Sequence, residues 1–85
     1  MLINVGDSKQ DIAFNNMMIS DKDESGTVKY YGYLSKGGKW LILKWDTNAD
    51  TFRYATGESD YETNWADRTM LNYKYYNEVW YGSNI

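Results

Sequence analysis

The stretch that decides the fold is TVKYYGYLSKGGKWLILKW, residues 27–45. β-Branched and aromatic residues flank a Gly37-Gly38 pair on both sides, which predicts two antiparallel strands joined by a tight turn. Because glycine tolerates positive φ angles, a two-residue primed turn fits this pair. Such a turn fixes the register of the hairpin and places Leu34 opposite Leu41.

Side chains alternate along each strand, so this register separates the two faces of the hairpin. The face without charged residues is predicted to be the core, and it holds Tyr30, Gly32, Leu34, Leu41, Leu43 and Trp45. The outer face holds Tyr31, Tyr33, Ser35, Trp40, Ile42 and Lys44. A core covered on one side does not need these outer rings, so we interpret the outer face as a contact surface.

A second turn, at residues 46–50, leads to a predicted third strand at residues 51–56. Pairing of Asp46 with Thr51 keeps the aromatic and aliphatic residues together, and a slip of one residue would bring Arg53 to their face. After this strand, Ser59 and Glu62 have the spacing of a capping box, which predicts a helix of about three turns. Residues 71–81 alternate again and predict a fourth strand.

Residues 1–26 differ from the rest of the chain in charge and pattern. They hold five acidic and two basic residues and carry the whole net charge of −3, because seven acids balance seven bases in residues 27–85. Their short apolar clusters, which include Phe14, Met17 and Met18, do not make a core. We interpret residues 1–26 as an arm or edge strand that packs in cis, or on a neighbouring subunit by strand addition.

The predicted fold is therefore a small α+β domain. Residues 27–85 form an antiparallel meander of about four strands with one helix packed on one face, and residues 1–26 form the N-terminal arm. Eighty-five residues without cysteine build a domain of marginal stability, which association with copies or partners would increase.

Several functions are disfavoured by composition. The chain has no histidine and no cysteine, so disulfides, thiolate nucleophiles and imidazole bases are excluded. No apolar run approaches the ~20 residues that span a bilayer, and an acidic chain without a basic block does not favour nucleic-acid binding. We predict no enzymatic activity, no cofactor and no membrane partner.

Two acidic stretches begin like calcium loops but do not continue as such. In the stretch from Asp21 to Gly26, the twelfth position is Gly32 where a bidentate glutamate is needed. The stretch from Asp46 to Asp50 lacks the glycine and the glutamate of a calcium loop and reads as a turn. No metal site is predicted.

The candidate contact residues are large rings of the body and apolar residues of the arm. They are Tyr31, Tyr33, Trp40, Tyr76, Trp80, Phe14, Met17 and Met18. Interfaces favour tyrosine and tryptophan because these residues bring a large area with few rotatable bonds. Two other interpretations stay open: burial of this face by the arm, and a platform for sugar rings or bases.

Five aromatic motifs follow one another between Tyr30 and Trp80. They are YYGYL at 30–34, GKWLILK at 38–44, FRYAxG at 52–57, DYxxxWxxR at 60–68 and LxYxYY at 71–76. This order resembles a group of small proteins encoded by tailed bacteriophages, usually near their virion structural genes. The resemblance implies a non-enzymatic virion component, such as a tail, fibre-attachment or capsid-decorating protein, and it transfers no site residues.

The expected function is assembly in the host cytoplasm and residence in the virion, through contacts with identical copies or with other virion proteins. One alternative is a carbohydrate- or receptor-binding module of a tail fibre, with Asn72 or Asn77 at the edge of its groove. Another is a small phage protein that binds a host enzyme through its acidic N-terminal third.

Overall fold

The computed structural model describes residues 17–79. They form a small β-rich domain around one four-stranded antiparallel sheet, in the order β1-β2-β3-β4. The strands are β1 (Met17–Asp23), β2 (Val28–Ser35), β3 (Trp40–Asp46) and β4 (Thr51–Gly57). Helix α1 (Tyr61–Ala66) and two 3-10 turns (Arg68–Met70 and Tyr76–Glu78) follow.

The β2–β3 hairpin turns through three residues, 36–38, and the predicted two-residue turn is wrong. The Ser35 N–H donates to the Lys39 carbonyl over 2.9 Å. In the Gly-Gly pair only Gly38 has a positive φ, of 95°. Three-residue loops with glycine in the left-handed position are a common hairpin form, and the doublet alone does not distinguish them from the shorter turn.

The extra loop residue shifts β3 by one position against β2 and changes the predicted core. Leu34 lies opposite Trp40 rather than Leu41. Because a shift of one residue exchanges the faces of a strand, Trp40 and Ile42 lie on the same side as Leu34. Ile42, predicted for the outer face, is fully buried with no exposed surface.

The predicted register between β3 and β4 is confirmed, with Asp46 opposite Thr51. The connecting turn also forms as predicted. One carboxylate oxygen of Asp46 accepts hydrogen bonds from the N–H groups of Asn48 and Ala49, over 3.0 and 3.2 Å. The acidic stretch at residues 46–50 therefore forms a turn that the Asp46 carboxylate stabilises.

The same register brings two cations together, Lys44 on β3 and Arg53 on β4. Tyrosine rings from the last part of the described chain offset this like-charge contact. The Lys44 ammonium lies 5.3 Å from the centre of the Tyr73 ring, and the Arg53 guanidinium lies 4.1 Å from that of Tyr75. Cation–π attraction of this kind stabilises each charge where it stands.

Helix α1 begins differently from the prediction and is shorter. The capping residue is Asp60, with φ 59° and no side-chain cap hydrogen bond, so the Ser59-Glu62 capping box is wrong. The Ser59 carbonyl accepts a hydrogen bond from the Trp40 indole N–H over 2.7 Å. This bond holds the chain in place just before the helix and ties α1 to β3.

Two glycines and an alanine make room on the side of the sheet that α1 covers, which we call the helix side. A Cβ atom on Gly32 would collide with the Tyr61 hydroxyl and lie 3.0 Å from the Trp65 ring. A Cβ on Gly57 would collide with the Trp40 indole. The buried cluster on the helix side consists of Tyr30, Trp40, Ile42, Ala55 and Tyr61.

Strand β1 is joined to the helix region by two polar contacts. The Tyr61 hydroxyl donates to the Asp21 carboxylate over 2.8 Å. Arg68 forms an ion pair of 2.9 Å with Asp23 while its guanidinium lies 4.6 Å from the centre of the Trp65 ring. Burial, followed by the hydrogen bond to Asp21, raises the pKa of Tyr61 to about 12.

The predicted fourth strand at residues 71–81 is wrong over its described part. Residues 71–79 make one isolated bridge, in which Lys74 and Tyr54 exchange two hydrogen bonds of 2.8 Å. Tyr73 packs on the helix side, and Tyr76 contacts Tyr54 on the opposite side. The segment therefore meets β4 at one point before the 3-10 turn Tyr76–Glu78, and the fourth strand of the described sheet is β1 instead.

Candidate functional site

The side of the sheet opposite α1 carries an open groove of about 370 Å³. We call it the tyrosine groove, and its lining residues are Tyr33, Leu41, Leu43, Tyr54 and Tyr76. Leu41 is almost fully buried at 1% exposure, whereas Tyr76 is 40% exposed. Leucine side chains and phenol rings give a surface that takes apolar groups, and the hydroxyls can fix their orientation.

The ring pair Tyr54–Tyr76 gives one wall of the groove a defined geometry. The two rings meet edge to face, with centroids 5.2 Å apart and planes at 74°. This arrangement is favourable because the positive edge of one ring meets the negative face of the other. Burial raises the pKa of Tyr54. Its protonated hydroxyl can donate a hydrogen bond.

A second ring pair lies on the same side, further along β3 and β4. Trp45 and Phe52 are cross-strand neighbours, and their rings stack with centroids 5.5 Å apart and an interplanar angle of 11°. Phe52 is 43% exposed. The Trp45 indole N–H donates to the Asp50 carboxylate over 3.4 Å. Exposed aromatic area therefore continues beyond the tyrosine groove.

The outer edge of β1 borders this side of the sheet. Within residues 17–79, no strand pairs with that edge. Its apolar half exposes Met18 at 74% and Ile19 at 56%, and Ile19 lies directly opposite Tyr33 of the groove. A bulge between Ile19 and Asp21 then breaks the pairing. The edge is thus divided into an apolar half and a charged half.

Three of the predicted contact residues lie on the groove side: Tyr31, Tyr33 and Tyr76. The Tyr31 hydroxyl donates to the Glu24 carboxylate over 2.7 Å. That hydrogen bond lowers the pKa of Glu24 and raises the pKa of Tyr31. Tyr31 is therefore occupied by a neighbouring carboxylate, and Tyr33 and Tyr76 line the groove itself.

Other predicted contact residues have different positions. Trp40 lies on the helix side and is 5% exposed, so its placement on the outer face is wrong. Met17 is also buried, in a small cluster with Leu41 and Val79, whereas its neighbour Met18 is exposed. The predicted residues Phe14 and Trp80 lie outside the described part of the chain.

The predicted core face includes Leu41, Leu43 and Trp45. Burial of Leu41 is confirmed, but all three residues lie on the groove side, away from α1. Small residues opposite large ones were the signal that could have placed them. In the β3–β4 register, Gly57 lies opposite Trp40 and Ala55 opposite Ile42. Small side chains on one face indicate the close approach of another element, and that element is α1.

The acidic stretch at residues 21–26 is used for internal contacts. The Asp23 carboxylate accepts hydrogen bonds from the Ser25 hydroxyl, over 2.6 Å, and from Arg68. Across residues 17–79, no group of three or more histidine, cysteine, aspartate or glutamate residues is placed to hold a metal ion. In the same residues, no helix has the length and apolar character needed to cross a bilayer.

No protein-family model, no curated protein and no solved structure matches this chain. The candidate site is therefore defined by geometry: an apolar half-edge on β1 that continues into the tyrosine groove.

Proposed function

We propose that this chain is a non-enzymatic assembly protein of a tailed-phage virion that acts through protein–protein contacts. In this proposal it is an α+β unit whose helix side supplies stability and whose groove side supplies the contact. One observation carries the proposal: the exposed side chains of Met18 and Ile19 lie on an unpaired strand edge of the described sheet, and Ile19, opposite Tyr33, continues into the tyrosine groove.

An unpaired strand edge favours an extended segment as its partner. Its backbone N–H and C=O groups are satisfied by another extended segment, which adds to the sheet. Apolar side chains of that segment would contact Ile19 and the groove beyond Tyr33. The bulge after Ile19 and the charges of Asp21 and Lys22 oppose pairing along the second half of β1, as protected edges commonly do.

The partner that fits is a short extended segment of a second copy or of another virion protein. Motifs of the chain between Tyr30 and Trp80 resemble those of small phage proteins, which supports the virion setting. Aromatic residues and methionine are enriched in the cores of protein interfaces, and charged residues are depleted there. This enrichment supports contact with protein over contact with nucleic acid.

A matched pair of lysine substitutions tests the contact. Met18 and Met70 are exposed to 74% and 75%, but only Met18 lies on the β1 edge. We expect Met18→Lys and Ile19→Lys to weaken association of the full-length chain by at least about tenfold, because a buried lysine loses its hydration. Met70→Lys should leave association unchanged. Sedimentation velocity of the chain, alone and with its virion proteins, measures both.

Mass spectrometry of purified phage particles tests whether the chain is a component of the virion. We expect the chain in wild-type particles in a fixed copy number and its loss from particles that carry Met18→Lys. Absence of the chain from wild-type particles, or equal incorporation of the Met18→Lys and Met70→Lys chains, would contradict the proposal.

A further inference from the structure

A cleft of about 520 Å³ lies at the β4 end of the sheet, between α1 and residues 71–79. Its polar lining includes Asn64, Asn72, Lys74 and Glu78, and its apolar lining includes Trp40 and Leu71. This volume falls within the range of small-molecule sites, ~300–1,000 Å³. We propose that this cleft binds a neutral saccharide.

The backbone holds the polar groups of the cleft in position. The Lys74 main chain, from which its side chain projects, is fixed by two backbone hydrogen bonds of 2.8 Å to Tyr54. One oxygen of Glu78 accepts from the Tyr75 N–H over 3.1 Å, which leaves the other oxygen available. The Asn64 amide nitrogen donates to the Asp60 carbonyl over 2.9 Å, which leaves the amide oxygen available. The cleft therefore presents acceptors whose positions are already set.

The donors of the cleft are available as well. Within residues 17–79, the side chains of Asn72 and Lys74 make no hydrogen bond or ion pair. The Asn72 amide can donate and accept, and the Lys74 ammonium can donate three hydrogen bonds. Both side chains are exposed, so a ligand can reach them without a movement of the backbone.

The mixture of groups identifies the ligand class. Each hydroxyl of a sugar both donates and accepts, which matches alternating amide, ammonium and carboxylate groups. Lys74 and Glu78 cancel each other in charge, so the cleft does not favour an anion over a neutral molecule. Half-buried Leu71 supplies apolar surface for the C–H groups of a sugar ring, and the buried Trp40 forms the floor beneath it.

The residues that test this site are separate from those that test the proposed assembly contact. Tyr54 lines both the cleft and the tyrosine groove, but Asn72 and Lys74 line only the cleft, and Met18 and Ile19 lie on β1 at the opposite edge of the sheet. Failure of saccharide binding would therefore leave the assembly proposal intact, and failure of assembly would leave the cleft intact.

Titration of the ¹⁵N-labelled full-length chain tests the inference, with D-glucose, D-galactose and N-acetylglucosamine as neutral probes and D-glucuronic acid as the anionic probe. We expect at least one neutral probe to shift the amide signals of Asn64 and Asn72. Asn72→Ala and Lys74→Gln should each weaken that binding by about fivefold or more, because each removes hydrogen bonds to the probe. Asn77→Ala, on the same segment but outside the cleft, should have no effect.

Three results would overturn the inference. The first is the absence of shifts at the cleft with every neutral probe up to the solubility limit. The second is equal binding by the wild-type chain and the Asn72→Ala chain, provided that the spectrum of the variant shows an intact fold. The third is tighter binding of glucuronic acid than of every neutral probe, which would assign the cleft to anions.

Discussion

The two sides of the sheet have similar residues but differ in what covers them. The helix side buries Trp40 and Ile42 under α1, with Gly32 at the closest approach of α1 and Gly57 making room for the Trp40 indole. The groove side buries Leu41 but leaves an open depression of about 370 Å³ above it. Both sides are aromatic, so hydrophobicity alone does not distinguish them. The difference lies in the small residues, which admit a second layer on one side only.

Polar contacts increase this difference. On the helix side, the Trp40 indole bonds to Ser59 and the Tyr61 hydroxyl bonds to Asp21, so both ring systems are anchored at their polar ends. On the groove side, the polar contacts of the ring residues are local in sequence, since Tyr31 bonds to Glu24 and Trp45 bonds to Asp50. Within residues 17–79, a single sheet thus separates a side that α1 closes from a side that stays open.

Alanine substitutions at two adjacent residues would compare the sides directly. Ile42→Ala, at a fully buried position of the helix side, should cost about 4 kcal/mol of unfolding free energy because it leaves a cavity. Leu43→Ala, at a half-buried position of the groove, should cost about 2 kcal/mol because solvent already reaches it. Urea unfolding measures both, and equal losses would contradict the division between the sides.

A methyl group added to a glycine would test the close approach of α1. Gly32→Ala should destabilise the domain by about 2 kcal/mol, since the new Cβ displaces the Tyr61 hydroxyl and with it the bond to Asp21. Gly37→Ala is the control, because the nearest atom to its Cβ is 4.0 Å away. The two variants are compared by thermal and urea unfolding, and similar stabilities would show that α1 is loosely packed.

Acid should loosen the attachment of β1 to the helix side, with a smaller effect than either substitution. Hydrogen bonds from Ser25, followed by that from Arg68, lower the pKa of Asp23 from 3.8 to about 2. A carboxylate with a depressed folded-state pKa stabilises the protein above its unfolded pKa, and this stability is lost as the pH falls through the folded pKa. We therefore expect unfolding free energy to decline between about pH 4 and about pH 2.

Asp23→Asn should remove this part of the pH dependence, and Asp67→Asn, at an exposed acid with no side-chain cap hydrogen bond, should retain it. Urea unfolding at a series of pH values gives the comparison. Parallel pH profiles for the wild type and the Asp23→Asn chain would contradict the assigned role of Asp23.

Much of the sheet could be predicted because local chemistry decides it. The hairpin at residues 27–45, the turn that Asp46 caps and the register of β3 with β4 all follow from alternation and turn residues. The β2–β3 register did not follow, because a loop of two residues and a loop of three both satisfy Gly37-Gly38. The one extra loop residue exchanges the two faces of β3. The predicted contact surface therefore included Trp40, which lies on the helix side.

The remaining differences depend on tertiary contacts that no local pattern contains. Residues 71–79 alternate like a strand, but they pair with β4 only at Lys74, and the 3-10 turn Tyr76–Glu78 ends the extended stretch. Strand β1 has weak propensity of its own and is held by the partners of Asp21 and Asp23 on α1 and just beyond it. The two bonds that hold β1 join residues 40 and 45 positions apart in the chain, so no local pattern contains them.

The bridge between Lys74 and Tyr54 has a consequence for how large an assembly can become. It occupies the outer side of β4 at its centre, with both hydrogen bonds formed. In the described sheet, strand addition is therefore directed to β1, and a sheet with one receptive edge accepts one partner and then stops. Edge-to-edge fibres need two receptive edges on every subunit. Within residues 17–79, β1 is thus the edge at which the sheet can grow, and β4 is the edge at which growth is blocked.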